Sequence, residues 1–349
     1  MNRRWTIITL IITTMLLLGL TAFTIVIDPF FVYHEPIKET GYIIDSKIEN
    51  YLNPGLAKHF EYNAVILGSS MAKNFSTDQI DQVFQTKSIK LTYAAAHALN
   101  HKIIMDVVLA NKKIDKVFLC LDIFAVTKPF DQTRNTLPQY LYDMNVLTDI
   151  EYILNKDVIG RALQVLSSQK ENTSIDDAYR WYEWDDDFTL KAVLDYYNHN
   201  RKKPHDVLQY EFDMENVEQN MAQNILPIIQ QNPQVEFYII FPPYSVLFWD
   251  NAKYYDLLAP YLDAEKYVIE KLLQHSNVQM HYFQTERNIV CDLSLYKDTV
   301  HYHPNINSFI IESIAANDYI LTDENYLSKL DDIRHLVTTL DVDALIEAY

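Results

Sequence analysis

From Trp5 to Ile27 the chain runs 23 residues without a charged side chain, and this stretch constrains the fold most. That length crosses the hydrocarbon core of a bilayer as a single helix. A signal peptide has a shorter apolar region and a small-x-small cleavage site, which Thr21-Ala22-Phe23 matches poorly, so an uncleaved anchor is expected. No face of the stretch is charged, which argues against a buried core helix. Arg3 and Arg4 ahead of it keep the short N-terminal end in the cytoplasm. The expected product is a single-pass cell-membrane protein with everything from Asp28 onward extracytoplasmic.

The rest of the chain has ample material for a core, since 49% of all residues are hydrophobic. A formal net charge of −18 repels phosphate backbones, so nucleic acid is not an expected partner. Cys120 and Cys291 each sit in or beside an apolar run and read as small buried hydrophobes, with neither a disulfide framework nor a cysteine metal cluster in the pattern.

Ala64 to Met71, AVILGSSM, is the first stretch with chemical meaning. Its four apolar residues read as a buried strand, and Gly68-Ser69-Ser70 as the sharp turn leaving it. Ser76-Thr77-Asp78-Gln79 has the form of a capping box and predicts a helix start. A serine just past a strand's carboxyl end stands where open α/β sheets place ligand chemistry. An alternation follows: strand 64–67, helix 77–84, strand 88–92, helix 97–110, strand 116–121. This rhythm predicts an α/β fold with a doubly wound, mainly parallel sheet. It lapses between Phe124 and Pro204, where helical patterns at 147–154 and 158–166 alternate with polar stretches and an aromatic-acidic knot at Trp181, Trp184 and Asp185–Asp187. The rhythm then resumes with helix 211–231, strand 235–241, helix 252–274, strand 278–283, a short strand at 288–291 and helix 306–316.

The expected plan is a cytoplasmic stub and transmembrane anchor at 1–27, and a juxtamembrane segment without regular structure at 28–60. The α/β domain follows in two parts, 61–124 and 206–318, separated by a mainly helical insertion at 125–205 and followed by an acidic tail at 319–349.

Nucleophilic catalysis by serine requires a base within hydrogen-bond reach and a carboxylate to orient that base. Asp298-Thr-Val-His301 can present both side chains on one face of a loop, and a last βα connection can lie beside the first strand's end. The combination points to a Ser-His-Asp site.

With these motifs the chain resembles the SGNH/GDSL-type hydrolases, which have a flavodoxin-like, three-layer α/β fold. Gly68-Ser69-Ser70 matches that family's Gly-Asp-Ser block, and Asp298 to His301 its terminal Asp-x-x-His block. The match implies Ser70 as nucleophile, His301 as base and Asp298 as its orienter. The resemblance is closer to the membrane-anchored, cell-envelope branch, including the D-alanyl transfer proteins of teichoic-acid operons. Closer still is a Gram-positive group sharing DPFFVYH, a Gly-x-Ser-Met turn and an Asp-x-x-His-Tyr block. The chain departs from the family at the oxyanion hole. Tyr93-Ala94-Ala95-Ala96 stands where the second block has its glycine, which makes Ala95 and Ala96 the candidate amide donors beside the N–H of Ser70. The third block, Gly-x-Asn-Asp, is missing; Leu121-Asp122-Ile123 follows strand three, and Asn100 is a substitute candidate. A carboxylate at Asp122 repels an oxyanion unless it is protonated.

The resemblance implies a membrane-anchored extracytoplasmic serine esterase or O-acyl(acetyl)transferase, without a cofactor. Its substrate would be a cell-envelope polysaccharide or teichoic-acid-like polymer, its acyl donor supplied by a multispanning membrane acyltransferase. The alternative is a binding or assembly factor that kept the fold with a degraded site. A third reading is a sugar-binding module built on Trp181 and Trp184. Ser69 is the rival nucleophile and His303 the rival base. His301-x-His303 as a metal pair needs His281 or Asp292 as well, and Asp185–Asp187 lacks the separation of a glycosidase pair. His97 reads as a helix-start histidine beside the site.

Overall fold

In the first strand Val65 and Leu67 belong to one apolar core, while Ala64 and Ile66 belong to another on the opposite face. The same alternation separates Val117 and Leu119 from Phe118 and Cys120, as the period of two in an extended chain requires. A computed structural model of the chain describes residues 3–37, 41–143, 145, 147–168, 174–180, 188–201 and 212–347. The strands are β1 (Ala64–Leu67), β2 (Ser88–Lys90), β3 (Lys116–Cys120), β4 (Glu236–Phe241) and β5 (Val278–Tyr282). All pair in parallel, in the order β2-β1-β3-β4-β5, so the winding direction reverses between β1 and β3. Crevices at such a reversal, outside the carboxyl ends of the strands, are where open α/β sheets bind ligands.

Before the sheet come α1 (Arg3–Ile27) and α2 (Glu49–His59). Between strands lie α3 (Thr77–Phe84) and α4 (Ala98–Asn111). After β3 follow the short α5 (Ile123–Thr127), α6 (Gln139–Tyr142) and α7 (Ile150–Ile153), then α8 (Lys156–Ser167), α9 (Ile175–Tyr179) and α10 (Leu190–Asn200). The approach to β4 is α11 (Met214–Asn220), a wide turn at Met221–Ile225, and α12 (Leu226–Gln230). The remainder is α13 (Val246–Tyr254), α14 (Leu258–Leu272), α15 (Arg287–Val290), α16 (Pro304–Ala315), α17 (Tyr326–Thr339) and α18 (Val342–Glu347). Leucines and isoleucines of α2, α4, α14 and α17 cover one face of the sheet, and those of α3 and α16 the other. The helix start is where expected, with Ser76 Oγ accepting the Gln79 N–H at 3.3 Å as α3 begins, but the reciprocal half of the box is absent because the Gln79 amide donates to the Ser308 carbonyl.

Three sequence expectations need correction, and one segment without an assigned structure proves helical. The 28–60 segment is not irregular throughout: its second half forms α2, which buries Leu52 and Leu56 completely, and Gly55 admits the Phe30 carbonyl where a Cβ would lie 2.0 Å from it. The helix expected over 252–274 is two helices, broken at Asp256, whose φ is +56°. Pro260 lies in the first turn of α14, the one part of a helix that tolerates proline. Asn288–Cys291 is not a strand but falls on α15 and its C-cap, with Glu286 capping the start, because so short an apolar run fits either conformation. The acidic tail is folded as well, with Leu330, Ile333, Leu336 and Val337 of α17 buried at helical spacing. Trp181, Trp184 and Asp185–Asp187 lie outside the described residues.

Helix α1 is long and apolar enough to cross a membrane, with a mean hydropathy of 2.5 over 18 of its residues. Its far end is held. Thr24 Oγ1 donates to the Ile153 carbonyl, and the carboxylate of Asp28 accepts the N–H groups of Val32, Tyr33 and His34 and the Tyr152 hydroxyl.

The helical insertion is tied to the sheet by a buried charge pair. Lys90 Nζ on β2, fully buried, donates to Asp176 Oδ1 at 2.9 Å, and Asp176 also accepts the Thr77 N–H. Removing one partner of a buried pair strands the other charge, so Asp176→Ala should destabilise the protein by about 3–5 kcal/mol. Asp195→Ala, which breaks the exposed Lys191 pair, should cost under about 1 kcal/mol. Chemical denaturation of both variants checks the contrast, and equal losses would refute it.

Candidate active site

Gly68 leaves β1 with φ +150°, and a Cβ there would lie 2.6 Å from the Cβ of Ala72, so the turn requires glycine. Ser69 caps the following 3₁₀ turn, Ser70–Ala72, by accepting the Met71 N–H at 3.2 Å. From the far end of the chain, Asn307 Nδ2 on α16 donates to the Met71 carbonyl at 3.1 Å. The second loop is closed at its base by a bridge between Tyr296 and Tyr302 and braced by Ser245, whose N–H and hydroxyl both donate to the Thr299 carbonyl.

These two loops bring together residues 231 positions apart. Ser70 Oγ lies 2.7 Å from His301 Nε2, and His301 Nδ1 lies 2.6 Å from Asp298 Oδ2. Asp298 Oδ1 accepts the N–H groups of Val300 and His301 at 2.8 and 2.7 Å. Burial raises the Asp298 carboxyl, but the His301 ring, its charge and these two N–H groups outweigh it and hold the carboxyl below its ordinary range. An ionised Asp298 can only accept, so the shared proton sits on His301 Nδ1. In the neutral ring Nε2 is then the acceptor facing Ser70, which is the arrangement a general base needs.

The rivals have other duties. Ser69 is buried, and its hydroxyl serves the turn and the neighbouring Asp122. His303 caps α16 by accepting the Asn305 N–H. His281 faces the Asp318 carbonyl and Asp292 accepts from Ser294, and among the described residues no three metal-ligating side chains cluster. No disulfide joins Cys120 and Cys291.

The oxyanion candidates divide. Ala95 stands at φ +51°, the left-handed region a glycine would occupy, and its N–H has no acceptor among the described residues. Ala96 corrects the expectation, since its N–H is used in a turn to the Tyr93 carbonyl. Asn100 lies away from the cavity wall: it is buried in the first turn of α4, where its Oδ1 accepts the N–H groups of His97 and Arg134. His97, at the start of α4, lines the site, as does Asp122 just past β3. Burial pushes the Asp122 carboxyl above its usual range, opposed by the Ser69 and Tyr244 hydroxyls and the His301 charge. The shift favours the neutral acid, which can donate where a carboxylate would repel.

Sequence reading missed four contributors. Glu49, from α2, accepts the Ala94 N–H and pairs with Lys73 Nζ at 2.6 Å, joining the two loops beside Ser70 and Ala95. Tyr244, fully buried, donates to Asp122 Oδ1 at 3.1 Å while accepting the Ile123 N–H. Lys128 and Arg134 bring cationic side chains to the cavity of an otherwise acidic chain, and a basic pair in this Pro-punctuated stretch was the only available signal. The cavity holds about 770 Å³ and is bounded by Ser70, Ala95, His97, Asp122, Arg134 and His301. A second cavity of about 260 Å³, lined by Phe248, Tyr255 and Tyr261, shares Phe124, Tyr196 and Val300 with the first. Comparison with protein-family models and with curated proteins finds no match.

The Asp122 shift has a testable sign. Below the ordinary aspartate pKa of about 3.9 the side chain is neutral whether the chain is folded or unfolded. As pH rises, the unfolded chain ionises first, and the folded state loses relative stability until its own raised pKa is passed. Asp122→Asn, which keeps the Oδ1 acceptor, should therefore match the wild type in thermal stability near pH 3.5 and exceed it at pH 7. A difference independent of pH would contradict the raised pKa.

Proposed function

We propose that the chain is a membrane-anchored, extracytoplasmic serine esterase or O-acyltransferase of the SGNH type, acting on an acyl or acetyl ester of a cell-envelope polysaccharide or teichoic-acid-like polymer. One observation carries this reading: the continuous Ser70–His301–Asp298 hydrogen-bond chain, whose Ser70 and His301 line a cavity that Asp122, just past β3, also lines. In this mechanism Ser70 Oγ attacks the ester carbonyl carbon while its proton passes to His301 Nε2. The oxyanion that forms faces the Ser70 and Ala95 amides. The C–O bond to the leaving alcohol breaks as His301 returns the proton, and the acyl group remains on Ser70. Water or a polymer hydroxyl, deprotonated by His301, then releases it. The adjoining aromatic cavity gives the substrate a place to bind beyond the reacting carbonyl. The polymer, and an acyl donor delivered by a multispanning membrane acyltransferase, rest on the resemblance.

A second, non-enzymatic reading, an anchored binding or assembly factor, is favoured by a single feature. An acid, Asp122, stands where a donating asparagine would be expected.

Hydrolysis of p-nitrophenyl acetate and butyrate by the detergent-solubilised full chain separates the two. Ser70→Ala and His301→Ala should each lower kcat by at least about 10³-fold. A fluorophosphonate should label the wild type and Ser69→Ala but not Ser70→Ala. A wild-type chain that neither turns over these esters nor takes the label would overturn the enzymatic reading in favour of the binding factor.

A further inference from the structure

The helical insertion exposes apolar side chains in a pattern that water does not explain. In α8 the residues Val158, Ala162 and Val165 are buried, as the inner stripe of a surface helix should be. The neighbouring stripe, Ile159, Leu163 and Leu166, should then be polar, yet Leu163 is 56% and Leu166 48% exposed. Leu147, Ile150 and Leu154, on and around α7, are exposed in the same way, Leu147 by 83%. These residues lie within one stretch of twenty.

Their position in the fold says what covers them. Helices α7 and α8 both pack against α1, and Thr24 of α1 bonds the Ile153 carbonyl at the end of α7. Contact is confined to the last two turns of α1, from Leu20 to Ile27, whereas the preceding residues are almost all exposed. Packed helices lie about 8–10 Å apart, so the outer stripe of α8 stands within about one helix diameter of the stretch of α1 that faces lipid. An amphipathic helix at that depth places its apolar side chains at the boundary between headgroups and acyl chains.

We propose that residues 147–166 form a membrane seat, with Leu147, Ile150, Leu154, Leu163 and Leu166 inserted into the bilayer leaflet from which α1 emerges. The occupant is lipid, and the inference rests on the reading of α1 as a membrane span. The exposed Glu151, Lys156 and Asp157 beside the leucines stay at the headgroup level, where charged side chains remain hydrated. The seat fixes the catalytic domain at a set tilt and height above the membrane.

Nitroxide labels at Leu163→Cys and Leu166→Cys test the seat, in the full chain reconstituted into phospholipid nanodiscs with both native cysteines replaced. A label at Leu327→Cys on α17, whose packing partners are α13 and α14, serves as the aqueous reference. Labels at 163 and 166 should collide at least several-fold more often with dissolved oxygen, which concentrates in lipid, than with a water-soluble nickel chelate, and label 327 should show the reverse. Preference for the chelate at both sites would overturn the proposal. So would protection from both reagents that disappears on dilution, which would assign the patch to a second copy of the chain. Carbonate extraction of the same protein from vesicles separates the premises. A chain released by carbonate disproves the anchor itself, whereas a retained chain with aqueous labels disproves only the seat.

Discussion

Parallel pairing obliges every strand of a sheet to end on the same edge, and the site is a consequence of that one constraint. β1 delivers Ser70, the loop after β2 delivers Ala95, and β3 delivers Asp122. Just past β4, Ser245 grips the Thr299 carbonyl, and the chain beyond β5 supplies Asp298 and His301. Five separate connections thus meet at one crevice without any of them crossing the sheet. The reversal between β1 and β3 opens the gap in which the cavity lies. No single segment contains the site, and a register slip in any one strand would displace its residue.

Buried polar groups give these loops their rigidity. Glu49 is raised above its usual range by burial, with Lys73 opposing the shift, and it holds the loop after β2 against the turn after β1. Tyr244 does the same for Asp122. Each is worth little as an isolated contact and costs much if left unpaired, so together they define one arrangement more than they stabilise it. Ala95 shows the opposite economy: a side-chain-bearing residue sits in left-handed backbone at the wall of the cavity.

The parallel sheet was legible because its pattern is carried by short apolar runs and a capping box, and the boundaries of β1 and α3 coincide with the expected ones. The pairing of Ser70 with His301 and Asp298 was legible through residue type and spacing, and the geometry joins them. Other features were hidden for physical reasons. A four-residue run such as Asn288–Cys291 has no periodicity to distinguish strand from helix. The acidic character of the tail masked the apolar spacing of Leu330, Ile333 and Val337. Glu49 and Tyr244 act across distances of 45 and 122 residues, and nothing local marks a carboxylate or phenol that will be buried. The duties of Ala96 and Asn100 depend on which neighbour reaches them first, which only the folded backbone decides.

Asp28 ends α1 at φ +41° and gathers three backbone N–H groups and the Tyr152 hydroxyl onto its carboxylate, so the chain leaves the helix directly into the folded domain. No slack lies between them. A domain on a long flexible leash sweeps a dome-shaped volume whose radius grows with the square root of the leash. This one, with α1 in a bilayer, can only glide and spin in the plane, sampling a thin slab at a single altitude. The encounter with any partner then becomes nearly two-dimensional, confined to that slab.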